Sequence, residues 1–569
     1  MNRLSYTLPA DLEGALNKVL NEWQLEEKLA RLWKHDASLW SNSDEADWLG
    51  WLNIVDKSLA QSTELEAFAR DLATSDINQV VLLGMGGSSM APEVLAETFG
   101  QQPDFPELIV LDSTDPGQIR AVNAAIDPVH TAFIVASKSG SSLEPNILMA
   151  FFLQRLTDVV GAVKAASHFI AITDPETSLH KRAVADGFRH VFNGEPDIGG
   201  RFSALSVFGM VPAAICGVDC RRFLDEALMM AAACENTLQL QENPGVLLGC
   251  ILGVAARKGR DKLTIIASPP VASMGAWLEQ LVAESTGKQG KGIIPVDGEP
   301  LASPGSYGAD RLFMYLCLAQ EAAPEQEQFI ELLEQAGEPV VRITLDDRYA
   351  LGQEFFRWEM ATAVAGSLME LNPFDQPDVE ASKVEARRIT EACASGGSLP
   401  AQTPLATDGQ LMLFADSRNA AELTALVDEL SVEALLKAHF GRITAGDYVA
   451  LLAYLDRNTA NTGQLQQIRN TICQDGKTAS CLGFGPRFLH STGQAYKGGP
   501  NTGVFLQITA DADEDIQVPG HNYSFAVVEA AQAQGDLEVL AERGRRVLRV
   551  HLGNEVAAGL TQLARLLAG

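Results

Sequence analysis

Short β-branched runs recur along this chain, and each opens through a turn of small or polar residues into a helical stretch. QVVLL (79–83) meets GMGGSS (84–89), and LIVLD (108–112) precedes a helix-like stretch near 116–125. FIVAS (133–137) meets a second Ser/Gly turn, and FIAIT (169–173) and HVFN (190–193) continue the series. Parallel strands need crossover connections, and runs without polar alternation must be covered on both faces. The alternation therefore predicts doubly wound α/β architecture. It restarts after a helical stretch at 221–257: LTIIAS (263–268), a helix through 271–285, GIIPV (292–296), a helix near 309–321, VVRITL (340–345) and a long helix near 350–371. A linker rich in Gly, Ser, Pro and Thr is expected at 394–410. Beyond it, LMLFAD (411–416), TASCLGFG (478–485), VFLQITA (504–510) and RVLRVHL (546–552) read as strands, with helices near 420–438 and 445–457.

The expected organisation is a helical N-terminal segment (1–70), two tandem parallel-sheet α/β domains (71–220 and 221–393) and an additional C-terminal α/β domain (411–569). Trp33, Trp40, Trp48 and Trp51 mark the first segment as a layer capping the core. The apolar stretches 203–218 and 245–256 read as buried helices, because the first contains Pro212 and the second is too short to span a bilayer.

Charge narrows the choice of partners. The 569 residues carry 43 Lys+Arg against 73 Asp+Glu, a net charge of −30. Nucleic acid and anionic membrane are excluded, because both require a cationic face. A hydrophobic fraction of 46% excludes disorder. An anionic substrate would need a local exception to the overall field. The eight cysteines include no Cys-x-x-Cys and sit mostly in apolar stretches. The opening MNRLSYTLPADLEG lacks the apolar core of a signal peptide. A cytoplasmic protein with reduced thiols is the expectation. No metal-ligand spacing is present, so no metal is expected.

Five segments carry chemistry. GMGGSSMAP (84–92) lies between strand and helix, where glycines admit close backbone approach and helix amides face an anion. A tight structural turn would look the same. SKSGSSLEP (137–145) offers four hydroxyls and Lys138 at a helix start, a setting for a phosphate monoester or for an N-cap with extra serines. With no nucleotide motif nearby, a sugar phosphate is the natural ligand. In GGRFSALS (199–206) an arginine enters an apolar helix, where burial demands a partner anion. In WLEQLVAESTGKQGKG (277–292) Gln280 and Glu284 share a helix face, and Glu284 can serve as a base. NPFDQPDVEASK (372–383) is a rigid turn opening a helix that carries Lys383.

Together, in this order, these segments resemble the glucose-6-phosphate isomerase family from about 75 to 385. Residues beyond 400 resemble the isomerase portion of fused transaldolase/glucose-6-phosphate isomerase proteins, and no transaldolase activity is expected. The resemblance implies sugar-isomerase-type domains and cofactor-free interconversion of glucose 6-phosphate and fructose 6-phosphate, in glycolysis and gluconeogenesis, by a homodimer. It implies substrate contacts at Gly87, Ser88, Gly200, Gln280 and Gln376, and a phosphate cradle from Ser137, Lys138, Ser139 and Ser142. It implies Glu284 as the base, Arg201 as the group holding the enediolate, Lys383 as an aid to ring opening and Glu144 as the support of a histidine. Another sugar-phosphate isomerase and a non-catalytic sugar-phosphate sensor stay open as alternatives.

One departure stands out. The family places its histidine in a Gly-x-x-His pattern on a helix between base and lysine, and here GSYGADRLF (305–313) has Asp310. The segment PRFLHSTGQAYKGGPN (486–501) offers His490, Gln494 and Lys497 in its place. His490 is the candidate ring-opening group.

Overall fold

The computed structural model describes residues 1–236, 239–395, 402–473 and 477–568. Among these residues three sheets form, all wound alike. The first sheet has strands β2 (Gln79–Gly84), β3 (Glu107–Leu111), β4 (Thr131–Ala136), β5 (Phe169–Thr173) and β6 (His190–Asn193), parallel in the order β3-β2-β4-β5-β6. The second joins β7 (Lys262–Ala267), β8 (Ile294–Val296), β9 (Arg311–Leu318) and β10 (Val340–Leu345), with β1 (Arg3–Thr7) antiparallel along its edge, in the order β1-β10-β9-β7-β8. The third has the order β11-β12-β16-β15-β13-β14. Its strands are β11 (Ala406–Asp408), β12 (Leu411–Phe414), β13 (Tyr448–Tyr454), β14 (Ala479–Phe484), β15 (Gly503–Thr509) and β16 (Arg546–His551). Only β11 and β12 break its parallel run.

In each sheet the winding reverses next to the first parallel strand: between β2 and β4, between β7 and β9, and between β13 and β15. The carboxyl ends of strands at such a reversal splay their loops apart and leave a crevice for ligand. The Gly/Ser loops 84–89 and 137–142 flank that crevice in the first sheet.

Several expectations need correction. The N-terminal segment is not wholly helical, because residues 3–7 pair with β10 before the helix Ala10–Leu25 begins. The expected helix near 309–321 is the central strand β9, buried along its whole length. The expected helix at 445–457 is β13, also wholly buried. A central strand covered on both faces has no alternation to betray it, so RLFMYLCL and YVALLAY read equally well as buried helix. Of the linker at 394–410, residues 396–401 lie outside the described residues. The two apolar stretches are buried helices, Val207–Ile215 and Pro244–Arg257. Among the described residues no helix is long and apolar enough to cross a membrane.

The third sheet is fastened to the first by a buried charge cluster. Arg487, just past β14, donates to both Asp112 and Glu93, and Arg457 donates to Glu93 at 2.7 Å. Burial works against the charge on Glu93, yet the two guanidiniums hold its carboxyl down at about 2. Helix Phe525–Glu542 adds a second seam, laid on helix Pro377–Ala394, where a Cβ on Gly535 would come within 2.9 Å of the Ala386 amide nitrogen.

Removing one partner of such a cluster leaves a buried charge uncompensated. Arg487→Met should lower the free energy of unfolding by about 3–5 kcal/mol, read from urea denaturation. A change under about 1 kcal/mol would mean that the junction is not held by these charges.

Candidate active site

A cavity of about 330 Å³ opens at the carboxyl end of the first sheet. Loops following β2, β4 and β6 form one wall, and the helix Met274–Thr286, the 374–383 segment and His490 form the rest. It gathers twelve of the thirteen site residues expected from sequence: Gly87, Ser88, Lys138, Ser139, Ser142, Gly200, Arg201, Gln280, Glu284, Gln376, Lys383 and His490. The thirteenth, Ser137, does not line the cavity; its hydroxyl is buried without a hydrogen-bond partner.

The glycines are there because the walls touch. A Cβ on Gly87 would lie 2.0 Å from the Gly200 carbonyl oxygen, so the first loop can meet the GGR turn only as bare backbone. Gly86 has φ of 55°, and a Cβ there would come within 2.8 Å of both Gln280 Nε2 and the His490 carbonyl.

Arg201 is 2% exposed and fully engaged. Its Nε donates to Ser285 Oγ at 2.7 Å, one terminal nitrogen to Gln376 Oε1 at 2.9 Å, and the other to the carbonyls of Pro373 and Asp375. Glu284 Oε1 stands 3.6 Å away. Burial lowers the affinity of Arg201 for its proton, and Glu284 and Asp375 work against that loss. Lys288 repeats the device from the end of the same helix, donating to the Asn372 and Asp375 carbonyls and to Asp375 Oδ1. Burial first, and Arg201 second, bring Lys288 down to about 8. Two cations thus pin the turn 372–376 against the base-bearing helix. Gln280, one turn before Glu284, donates to Glu284 Oε2 at 3.1 Å and to the His490 carbonyl at 2.9 Å.

The 137–142 loop leaves its helix start without a side-chain cap. Ser142 occupies the N-cap position of the 18-residue helix Leu143–Val160, yet its side chain makes no capping bond. Ser139 Oγ touches only Ser141 at 3.0 Å among side-chain groups. Lys138 donates to Asp174 and to the Glu195 carbonyl. Lys383 is the least restrained cation, its nearest carboxylate being Glu380 at 3.9 Å.

His490 reaches the cavity from the third sheet, and its Nε2 lies 3.1 Å from Glu144 Oε1. Burial would push the Glu144 carboxyl up, but the charge and hydrogen bond of His490 hold it at about 2. An ionised carboxylate only accepts, so His490 Nε2 carries the proton. The neighbouring candidates play other parts. Gln494 accepts from the backbone amides of Asp378 and Val379 at a helix start, and Lys497 is buried against Asp536 at 2.6 Å. Asp310 does not line the cavity; it opens β9 beside Lys262, 3.5 Å away.

Sequence reasoning passed over Asp174. Asp174 follows directly on β5, and its place at a strand's carboxyl end was the available signal.

The comparisons agree with this geometry. The family model described as phosphoglucose isomerase matches residues 57–297, which hold every cavity group from Gly86 to Glu284. A glucose-6-phosphate isomerase of Rubrobacter xylanophilus is 30% identical over 359 residues, 55% of this chain and 81% of that protein. The chain belongs to the glucose-6-phosphate isomerase family. Another member, from Lactiplantibacillus plantarum, is 27% identical over 421 residues, covering 65% of this chain and 92% of that protein. A crystal structure of a hypothetical protein from Thermus thermophilus superposes with a TM-score of 0.59 at 25% identity, over 68% of this chain and 99% of that one. Set against these family members, this chain has a third of its length or more to spare, and His490 lies in that direction, well past the family-model match.

Gly87→Ala should cut kcat/KM by on the order of 10²-fold, since its methyl would force the Gly86–Ser88 loop off the GGR turn by about an ångström. Steady-state kinetics checks this, and an unimpaired variant would mean that the loops do not position substrate.

Proposed function

We infer that this chain is a glucose-6-phosphate isomerase, an aldose–ketose isomerase that interconverts glucose 6-phosphate and fructose 6-phosphate. Family membership supports the reaction. The observation that carries it is the meeting, in one cavity, of a buried glutamate, a guanidinium 3.6 Å from it, a hydroxyl-rich helix start and a histidine–carboxylate pair.

Each group has a step to perform. The uncapped amides at the start of helix Leu143–Val160, with Ser139, Ser142 and Lys138, take the phosphate dianion. Binding energy realised there, away from the reacting carbons, orients C1 and C2. His490, as the imidazolium, gives a proton to the ring oxygen while the anomeric hydroxyl releases its own to solvent, and Lys383 assists at the same end. Glu284 then removes the C2 proton. The electron pair shifts towards C1, and Arg201 holds the charge that develops on oxygen in the enediolate. The hydroxyl proton passes from O2 to O1, and Glu284 returns its own proton to C1, leaving the ketose. C1 is reduced and C2 oxidised within one molecule, so the reaction balances without an external oxidant or reductant.

The cytoplasmic location we propose suits eight unbridged cysteines, of which six are buried.

Two substitutions test the roles. Glu284→Gln keeps shape and hydrogen bonding but cannot move a proton, so kcat should fall by about 10²–10⁴-fold with KM little changed. A wild-type rate would remove Glu284 as the base. His490→Ala should lose far more rate on glucose 6-phosphate than on its 4,5-dideoxy analogue, which can close neither a pyranose nor a furanose ring. Equal losses on both would remove the ring-opening role.

A further inference from the structure

The Glu144–His490 pair has a third member that no motif announces. Gln532, on helix Phe525–Glu542, is 3% exposed. Its Nε2 donates to Glu144 Oε1 at 2.7 Å, the same oxygen that faces His490. Its Oε1 is 2.7 Å from Thr114 Oγ1, and Thr114 is wholly buried in the loop after β3. The direction of the chain is set by chemistry. An ionised Glu144 accepts only, so the amide nitrogen must face it, and Thr114 must donate to the amide oxygen.

We propose that Gln532 is a positioning residue for ring opening: it fixes the Glu144 carboxylate, and through it the tautomer and orientation of the His490 imidazole. The third sheet and its helices then supply both the histidine and the amide that aligns the histidine's partner. Glu144 itself comes from the first-sheet unit, so the relay Thr114–Gln532–Glu144–His490 crosses the junction more than once. The mount is rigid on the Gln532 side. Tyr454 at the end of β13 donates to the Gln532 carbonyl at 3.5 Å, and its ring packs edge-on against Phe488, two residues before His490.

A buried carboxylate depends on each donor it has, and Glu144 takes only two from side chains among the described residues. The charged groups acting on it are His490 and, more weakly, Lys383 on helix Pro377–Ala394. With Gln532 gone, an ionised Glu144 would lean wholly on the imidazolium. The ring would lose its fixed orientation.

The proposal rests on the ring-opening reading of His490, and the test separates the two. Purified full-length Gln532→Met keeps the volume but has no donor. It should lose about tenfold or more in kcat on glucose 6-phosphate, with KM within about twofold and a smaller loss on the 4,5-dideoxy analogue. Thr114→Val, which frees the amide to turn, should show the same pattern more weakly, and it carries the test if Gln532→Met does not fold. Unchanged kcat, or equal losses on the two substrates, would overturn the positioning role. If His490→Ala itself spares glucose 6-phosphate, the ring-opening reading fails; if His490→Ala is crippled and Gln532→Met is not, only the positioning role fails.

Discussion

The active site depends on a guanidinium that never touches substrate. Arg487 is buried between Glu93 on the first helix of the first-sheet unit and Asp112 at the end of β3. Three residues further on, His490 meets Glu144 and its carbonyl receives Gln280. The chain between them is a short turn of 3₁₀ helix, Arg487–His490, with little freedom. Clamping Arg487 therefore clamps the histidine. Two carboxylates and two arginines withdrawn from water are costly unless every partner is present, so the cluster has one acceptable geometry. This makes the docking of the third sheet specific rather than merely sticky.

The same pairing of charge answers how so acidic a chain accepts a dianion. Among the described residues lining the cavity, the charged side chains are Lys138, Arg201, Lys383 and His490, set against Asp174 and Glu284. Lys138 is bound to Asp174 and Arg201 stands against Glu284, so neither is a bare cation. Lys383 is the exception. Lys497, which from sequence belonged to this local field, is paired with Asp536 instead. Beside these charges the cavity presents Ser139, Ser142 and the uncapped helix start at Leu143. Fixed dipoles of that kind need no counter-ion when the substrate leaves.

Much of this was legible in sequence because backbone constraints leave marks there. Gly86, Gly87 and Gly200 stand where two loops touch, and NPFDQP is a turn pinned by cations, so these segments could be found by residue type alone. Strands β9 and β13 were misread because complete burial removes the alternation that identifies a strand. The bearing of Ser137 was also illegible: it follows directly on β4, before the loop turns outward, and period alone does not say where the turn starts. Gln532 left no trace. It is one glutamine in a helix of small residues, and its value comes from a contact 388 positions away.

The replacement at position 310 follows from the same geometry. Asp310 opens a strand in the middle of the second sheet, and its backbone carbonyl receives the Lys262 amide there. It sits at the amino end of β9, whereas the catalytic groups collect at carboxyl ends. Position 310 is held by the sheet and does not line the cavity that His490 enters. Glu144, however, is still buried and still ionised, and a buried carboxylate without a cationic partner is costly. The fold keeps the acceptor and imports the donor: His490 arrives on a loop after β14, the edge strand of the added sheet, and meets the demand that Glu144 makes. The third sheet is thereby part of the cavity, because removing it would leave Glu144 without its histidine and the cavity without a wall.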